Sequence, residues 1–399
     1  MTSNQKELVK ATIPVLREHG VVLTKHFYQR MFQYNPELQH VFNRGNQQND
    51  KQQTALAMAV LAYAEHIDDP SVLFPVVNSI GHKHVSLDIR PEHYAIVGKH
   101  LIASIQEVLG DLATTDLLEA WAVAYQELAD LMSGHEQNIY KEKVSEKGGW
   151  TGWRPFVVKE KVVESSEITS FYLYPADQGP VADFKPGQYI SLRMFLPELN
   201  LLQPRQYSIS CAPNGVYYRI SVKRERGSEH PDGLISNRLH QVIQPGDLVD
   251  LSSPSGVFVL QEDSPKTKVF ISGGVGQTPL LAMLESITQR EKQTAVKWIH
   301  GCRGEEVHAF KQRVTELEKG YPHLKQHIFY DSTDESSTTT YKGWVELAQI
   351  EDDILSHEAE YYICGPRGFI EKHYQYLVEQ KVDKTAIFFE EFGPASVQV

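Results

Sequence analysis

The sequence predicts three domains in series: an all-helical domain, an antiparallel β-barrel and an α/β domain with a parallel sheet. In the first third, apolar residues recur at helical spacing. In the middle, short runs rich in β-formers are separated by Pro-Gly and Asn-Gly turns. In the last third, apolar strands alternate with helical segments, which is typical of a parallel sheet. A chain of 399 residues is too long for a single ordinary core.

Composition narrows the cellular setting and the partners. The formal net charge of −12 makes nucleic acid an unexpected partner. No apolar run reaches the roughly 18 residues needed to cross a bilayer, and the polar start MTSNQKELVK lacks the apolar core of a secretory signal. The three cysteines are far apart and form no CxxC pair, which fits a reducing compartment. We therefore expect a cytoplasmic monomer without a transmembrane segment.

The domain boundaries follow changes in residue pattern. The helical pattern covers residues 1–140, and the charged, Gly-rich segment 141–152 is expected to be an exposed linker. The barrel is predicted for 153–263, and the α/β domain for 264–399.

A histidine-rich stretch, HKHVSLDIRPEHYAIVGKHL at residues 82–101, raises the question of a metal site. On a helix, Val77, Ile80 and His84 share one face, while His82 points nearly opposite and is predicted to face solvent. An HxH pair on a helix cannot bind one ion with both imidazoles. One inward histidine is more often a core residue satisfied by a carbonyl, so the helix alone leaves both interpretations open.

The helical third resembles a globin over about residues 21–140. The segment HFYQRMFQYNPELQHVF contains the family's Pro-led corner at Pro36, followed by Phe42, which in the family packs on the haem face. Leu56 lies on a helical face that the resemblance assigns to the haem pocket. In this frame His84 is implied to be the proximal iron ligand, with an open pocket on the opposite side of haem b.

Four further residues match the flavohaemoglobin branch of the globins. Tyr94 and Glu136 are implied to form a hydrogen-bonded set with His84, which would make the ligand more basic. Tyr28 and Gln52 are implied to lie on the distal side, where the tyrosine hydroxyl can donate to bound O2. Without the resemblance, the two tyrosines would be ordinary core residues and Glu136 a surface glutamate.

The barrel region contains RQYS, which follows a proline and is predicted to begin a strand. Arginine offers a fork for a diphosphate, the aromatic ring a stacking face, and serine a hydroxyl for a ring nitrogen. With PGQY upstream and GLISNRLH at a helix start, the order resembles the ferredoxin-reductase-like flavin domain, which implies FAD. The residues assigned to this site are Tyr189, Arg205, Gln206, Tyr207, Ser208, Gly233 and Ser236.

The run FISGGVGQTPLLAML leads from a strand through a Gly-rich turn into a helix. Glycine permits close approach, Thr278 is predicted to cap the helix, and Pro279 fits its first turn. A bare Gly-rich turn is otherwise a plain connection, and this one lacks the third glycine of the Rossmann fingerprint. It is similar instead to the nicotinamide-dinucleotide loop of the same reductases. The assigned residues are Gly274, Val275, Gly276, Gln277, Thr278 and Pro279.

Two later motifs complete the reductase resemblance: YICGPRGF at 362–369 and FEEFGP at 389–394. The resemblance implies that the Phe392 ring lies near the flavin and that the Glu390 carboxylate tunes it. Relatives often have a small or thiol residue where this chain has Glu391, so the access of the nicotinamide ring is left open. The assigned residues here are Glu390, Phe392, Gly393 and Pro394.

The order of the three parts resembles flavohaemoglobin across essentially the whole chain. This implies haem b, FAD and either NADH or NADPH as cofactors, with O2 and NO as small-molecule partners. The implied activity is that of a nitric oxide dioxygenase, which converts NO and O2 to nitrate at a haem reduced through FAD and thereby detoxifies NO. Two alternatives stay open: an O2 store or sensor, and a reductase whose substrate, a ferric ion, quinone or peroxide, reacts at the flavin.

Overall fold

The computed structural model describes residues 1–42, 50–227, 232–290, 293–332, 337 and 339–392. The described helices of the N-terminal domain are α1 (Ser3–Ala11), α2 (Ile13–Tyr34), α3 (Lys51–Glu65), α4 (Phe74–Ser86), α5 (Pro91–Leu109) and α6 (Thr115–Ser145). No helix in these ranges is long and apolar enough to span a membrane.

Local chemistry explains where these helices begin and how they cross. Thr2 and Gln5 form a capping box at α1, and the Thr114 hydroxyl accepts from a first-turn N–H of α6. Proline stands in the first turn of α4 and of α5. A Cβ on Gly98 would lie 2.4 Å from the ring of Tyr125, so α5 and α6 approach closely only because that position is glycine.

The second domain is an antiparallel barrel of strands in the order β4-β3-β6-β1-β2-β5. A bridge between Ile209 and Ile220 closes it between β4 and β5. Fully buried residues such as Phe156, Phe171 and Leu192 fill the interior. The elements are β1 (Arg154–Val163), β2 (Ile168–Pro175), β3 (Tyr189–Leu196), β4 (Leu201–Ser208), β5 (Tyr218–Lys223), β6 (Leu248–Leu251) and α7 (Leu234–Gln241).

The RQYS motif ends β4, so the prediction that it begins a strand was wrong. The preceding residues already pair with β3, with Pro204 opposite Arg193. Because β4 ends the hydrogen-bonded strand order, proline is tolerated there. The motif therefore stands at the end of a strand, where side chains can reach a ligand.

The third domain is a parallel sheet in the order β10-β9-β8-β7-β11-β12. Its central strand β7 pairs with β8 on one side and with β11 on the other, so the chain order reverses there and the carboxyl ends form a crevice. The strands are β7 (Thr267–Gly273), β8 (Val296–Cys302), β9 (Leu324–Tyr330), β10 (Thr340–Lys342), β11 (Ala359–Gly365) and β12 (Ile387–Glu391). The helices are α8 (Gln277–Gln289), α9 (Lys311–Gly320), α10 (Glu351–Ile354) and α11 (Arg367–Glu379).

The segment between the first two domains is partly helical. Helix α6 continues to Ser145, and β1 begins at Arg154. Between them, Trp150 packs against the barrel core and its indole N–H donates to the Leu251 carbonyl at 3.2 Å. The connection is thus attached to the barrel over part of its length.

Candidate functional site

The imidazole of His84 is held by side chains from the two following helices. Its Nδ1 lies 2.7 Å from Glu136 Oε1 on α6 and 3.0 Å from the Tyr94 hydroxyl on α5. The Tyr94 hydroxyl donates to the same Glu136 oxygen at 2.6 Å. Glu136 is 2% exposed, so it is a buried residue and not a surface glutamate.

This arrangement selects one tautomer of the histidine. Burial and the neighbouring Glu136 raise the pKa of Tyr94, so its hydroxyl keeps its proton and donates. The carboxylate then accepts from Nδ1–H of His84 as well, which leaves the lone pair on Nε2. A neutral imidazole with a basic Nε2 is the form that ligates a metal.

The surroundings of His84 fit a haem group. Its side chain is 32% exposed although the helix face carrying it points into the domain, where Val77 is 5% exposed. Among the residues that the structure describes, none makes a hydrogen bond with Nε2. An imidazole nitrogen directed into open space inside a helical domain suits an axial ligand.

The distal residues proposed from the sequence lie on α2 and near the start of α3. The Tyr28 hydroxyl and the Gln52 side chain share a hydrogen bond, and burial raises the pKa of Tyr28. The Tyr28 ring stands edge-on to Phe42, with centroids 5.7 Å apart, and Leu56 packs on the same core. The structure therefore brings together a polar pair within an apolar surface.

His82 does not face solvent, and that prediction was wrong. Its Nδ1 accepts from the Gly256 N–H of the barrel at 3.4 Å, and burial lowers its pKa to about 4. The barrel covers this side of α4, where Ser86 accepts hydrogen bonds from barrel side chains. Ser79 and Lys83 on the same helix line a cavity between the domains.

That cavity has a volume of about 370 Å³ and is bounded by the barrel, the α/β domain and α4. Its walls carry a half-buried arginine, three strand-end aromatic or hydroxyl side chains, and a helix start, which suits a flat ring joined to a diphosphate. The assigned residues that line it are Tyr189, Arg205, Gln206, Tyr207, Ser208, Gly233, Ser236, Val275, Thr278, Glu390 and Phe392.

The start of α7 offers backbone donors to an anion. Its N-cap is Gly233, where a Cβ would lie 2.5 Å from Ser236 Oγ, so only glycine leaves the turn open. The Ser236 hydroxyl donates to the Gly233 carbonyl at 3.1 Å and accepts from Glu225 N–H at 3.3 Å. The hydroxyl thus shapes the turn, and the first-turn N–H groups are the donors that fit a diphosphate.

The Gly-rich turn after β7 packs directly on the end of β11. Gly274 has φ +55°, and a Cβ on Gly276 would lie 2.1 Å from the Cys364 carbonyl oxygen. Thr278 does not cap α8, contrary to the sequence prediction. Its hydroxyl donates to the Val275 carbonyl at 3.0 Å, because the helix already begins at Gln277.

The remaining assigned residues fall into two groups. Gly276, Gln277 and Pro279 are buried behind the cavity wall, and Gly274 also lies away from it. Gly393 and Pro394 lie outside the described residues.

The last strand brings two carboxylates to the cavity. Burial raises the pKa of Glu390 to about 7, while the nearby Lys83 ammonium opposes this shift. Glu391 also lines the cavity, and the Phe392 ring at its edge is 44% exposed. The structure thus places a carboxyl group with a raised pKa beside the aromatic side chains of the cavity.

Sequence reasoning did not find several residues of the cavity wall. Ser79 and Lys83 belong to the helical domain, and Gly256 and Val257 follow β6. The polar face of α4 is the sequence feature that could have predicted Ser79 and Lys83, since residues 79, 83 and 86 recur at helical spacing opposite the His84 face. That face was interpreted as solvated because sequence alone does not show which domain covers it.

The fold and the two sites define a globin joined to a flavin- and nicotinamide-dependent reductase, and hence an oxidoreductase. The chain matches the globin family over residues 25–132 and the oxidoreductase NAD-binding domain family over residues 270–375. It is 50% identical to the flavohemoprotein of Bordetella parapertussis over 98% of both chains, and 47% identical to that of Rhizobium meliloti over 99% of this chain and 98% of the relative. The chain therefore belongs to the flavohemoprotein family.

Solved structures agree with this membership. The crystal structure of flavohemoglobin from Malassezia yamatoensis, with bound FAD and heme, matches with a TM-score of 0.87 and 27% identity, covering 98% of this chain and 99% of that one. The FAD/NAD-binding domain of nitric oxide dioxygenase from Vibrio cholerae matches with a TM-score of 0.56 and 41% identity, covering 60% of this chain and 99% of that one. The three-domain fold predicted from the sequence is confirmed.

Proposed function

We propose that the protein is an NAD(P)H-dependent nitric oxide dioxygenase that converts NO and O2 to nitrate in the cytoplasm and so detoxifies NO. The observation that carries the proposal is that α4 presents His84 to the helical domain and Lys83 to the flavin cavity. One rigid element thus borders both sites. The relatives named as flavohemoglobin with bound FAD and heme and as nitric oxide dioxygenase support the same assignment.

When bound, haem supplies O2 activation, and FAD divides the hydride of NADH or NADPH into single electrons for the iron. His84 would hold the haem iron through Nε2. Glu136 keeps that nitrogen basic by accepting from Nδ1–H at 2.7 Å, and Tyr94 fixes the carboxylate in place. An electron-rich proximal ligand favours O–O activation over reversible O2 carriage.

On the other side of the pocket, the Tyr28 hydroxyl shares a hydrogen bond with Gln52 and would donate a hydrogen bond to O2 in the haem pocket. Burial raises the pKa of Tyr28, so the hydroxyl remains a donor across the physiological range. Phe42 and Leu56 exclude water from the pocket. These four residues would therefore bind and orient the small molecules without exchanging protons themselves.

In the reductase half, Arg205 and the first turn of α7 would bind the FAD diphosphate, and the rings of Tyr189, Tyr207 and Phe392 would offer stacking faces to the flat ring system. Glu390, whose pKa is raised to about 7, holds or releases a proton beside that ring system. The Gly-rich turn and the start of α8 bind NAD(P)H.

The test is the stoichiometry of the purified protein containing haem and FAD in aerated buffer. We expect continuous consumption of NO and appearance of nitrate, with two molecules of NO per NADH or NADPH, because each conversion uses one electron of the hydride. An O2 store or sensor would show only a single binding phase, and that result would overturn the proposal.

The variant His84→Ala separates the proposal from a reductase that acts at the flavin. We expect it to lose NO consumption and the haem absorption band while NADH still reduces the flavin. If NO consumption survives in the variant without haem, the substrate reacts at the flavin and the proposal is wrong.

A further inference from the structure

An ion triad centred on a buried carboxylate joins the barrel to the α/β domain. Glu285 on α8 is 4% exposed, and its Oε1 accepts from Arg313 Nε on α9 at 2.8 Å. Its Oε2 accepts from the Ala212 N–H at 3.2 Å and from Arg219 Nη2 on β5 at 3.4 Å. The Glu285 carboxylate thus accepts one hydrogen bond from its own α/β domain and two from the barrel.

The arginine on the barrel side is itself fixed. Arg219 is 7% exposed, and its Nε donates to Ser210 Oγ at 3.2 Å. Its guanidinium lies 5.7 Å from the ring centroid of Phe310, the residue that precedes α9. Phe310 has φ +61°, an unfavourable conformation for a bulky residue that persists only where its surroundings impose it. The junction is therefore built to a single geometry.

Helix α8 connects this junction to the flavin cavity. Glu285 follows Thr278 by seven residues, which places both on one helix face about 10 Å apart. Thr278 and Val275 line the cavity, so the face anchored by Glu285 is also the face that carries the nicotinamide turn. A shift of the anchor would move the turn relative to the flavin ring.

Another contact between these two domains is less constrained. Arg303 pairs with Glu167, but the arginine side chain is 62% exposed. Exposed ion pairs contribute little, whereas charge-assisted hydrogen bonds to a buried carboxylate are stronger and fix its orientation. Buried ion pairs are poor sources of stability, so their best-attested benefit is geometric specificity.

We propose that Glu285 is a positioning residue for hydride transfer, because its carboxylate sets where the nicotinamide turn stands over the flavin. This inference rests on the proposed function only in requiring that NAD(P)H reduces the bound flavin. Glu285 touches neither cofactor and acts through α8.

The experiment compares flavin reduction by NADH in the anaerobic holoenzyme and in Glu285→Gln, followed by loss of flavin absorbance after rapid mixing. We expect the limiting rate to fall about 10- to 100-fold, since a misplacement of roughly 1 Å has this effect. The NADH concentration for half-saturation stays nearly unchanged. The isotope effect with NADH deuterated at the transferred position increases, which a purely structural role would not cause.

The matched control is Glu360→Gln. Glu360 is 7% exposed and pairs with Lys268 at 2.5 Å, but both residues belong to the α/β domain. This variant loses a buried ion pair without changing the junction, so we expect lower thermal stability and an unchanged limiting rate.

A second variant keeps the test decisive if Glu285→Gln does not fold. Arg313 orients the Glu285 carboxylate towards the barrel by donating to its Oε1 at 2.8 Å, and the Arg313 side chain is 42% exposed. Arg313→Gln should therefore fold and lower the limiting rate in the same direction, but less than Glu285→Gln. The proposal is overturned if NADH reduces the flavin of Glu285→Gln or Arg313→Gln, whichever folds, as fast as it reduces the flavin of Glu360→Gln. If NADH does not reduce the flavin of the unsubstituted protein, the proposed function fails as well.

Discussion

The two sites differ in how they are assembled. The His84 site consists of side chains from three helices of one domain, joined by hydrogen bonds of 2.6 to 3.0 Å. The flavin cavity is lined by residues from all three domains, and its anion donors are backbone groups at a helix start. The first site should therefore remain intact when the second is damaged, whereas the second depends on how the domains meet.

The largest expected effect that separates the two sites is on FAD retention. Arg205→Ala removes the only arginine that lines the described cavity. Losing a charged hydrogen bond of about 1.5–3 kcal/mol should weaken FAD binding roughly 10- to 150-fold. Flavin and haem contents of the purified variant check this, and haem should be unchanged.

The control for that variant is Arg193→Gln. Arg193 lies on β3 of the same barrel but pairs with Asp250 at 3.0 Å, outside the cavity. Equal loss of flavin from both variants would show that Arg205 acts on barrel stability rather than on the diphosphate.

A smaller effect, confined to the His84 site, is expected for Glu136→Gln. An amide accepts less strongly from the imidazole, so NO turnover should fall about 10- to 100-fold while flavin reduction by NADH is unchanged. Tyr140→Phe is the control, because the Tyr140 hydroxyl donates to the Ile89 carbonyl at 2.7 Å and takes no part in the hydrogen bonds among His84, Tyr94 and Glu136. Slower flavin reduction in Glu136→Gln would contradict the independence of the two sites.

The smallest effect is on the pH dependence of stability. Glu390 has its pKa raised to about 7 by burial, compared with an ordinary value of 4.5, so the folded FAD-free chain binds an extra proton between these values. Its contribution to stability is complete below about pH 4.5 and is lost as pH rises towards 7. The loss should be about 1–2 kcal/mol, because the side chain is not fully buried.

Urea unfolding of the FAD-free chain at pH 5 and pH 8 measures this difference. Glu390→Gln should remove that part of the pH dependence. If the variant and the unsubstituted chain show the same dependence, Glu390 does not titrate in this range and its environment at the cavity is more hydrated than its burial implies.

Much of the fold could be predicted from the spacing of apolar residues along the chain, because this spacing differs between the three domains. The inward direction of His84 also followed from helical spacing alone. The contacts of Tyr94 and Glu136 did not, since they depend on how three separate helices pack together. Only the family resemblance pointed to Tyr94 and Glu136, and the structure shows both in contact with the histidine.

The errors that concern α4 share one physical cause. His82 was predicted to face solvent because a polar helix face looks the same whether water or another domain covers it. Lys83 and Ser79 were missed for the same reason. Local rules were also insufficient at Thr278, because the helix begins at Gln277, two residues before the start that a Thr278 cap requires.

Helix α4 has a mechanical consequence for electron flow. Lys83 and His84 are neighbours on one helix, and the end of this helix is fixed to the barrel through Ser86. The distance between the haem site and the flavin cavity therefore does not depend on a flexible linker. The onward electron transfer to the haem iron would therefore cover a length that this helix sets.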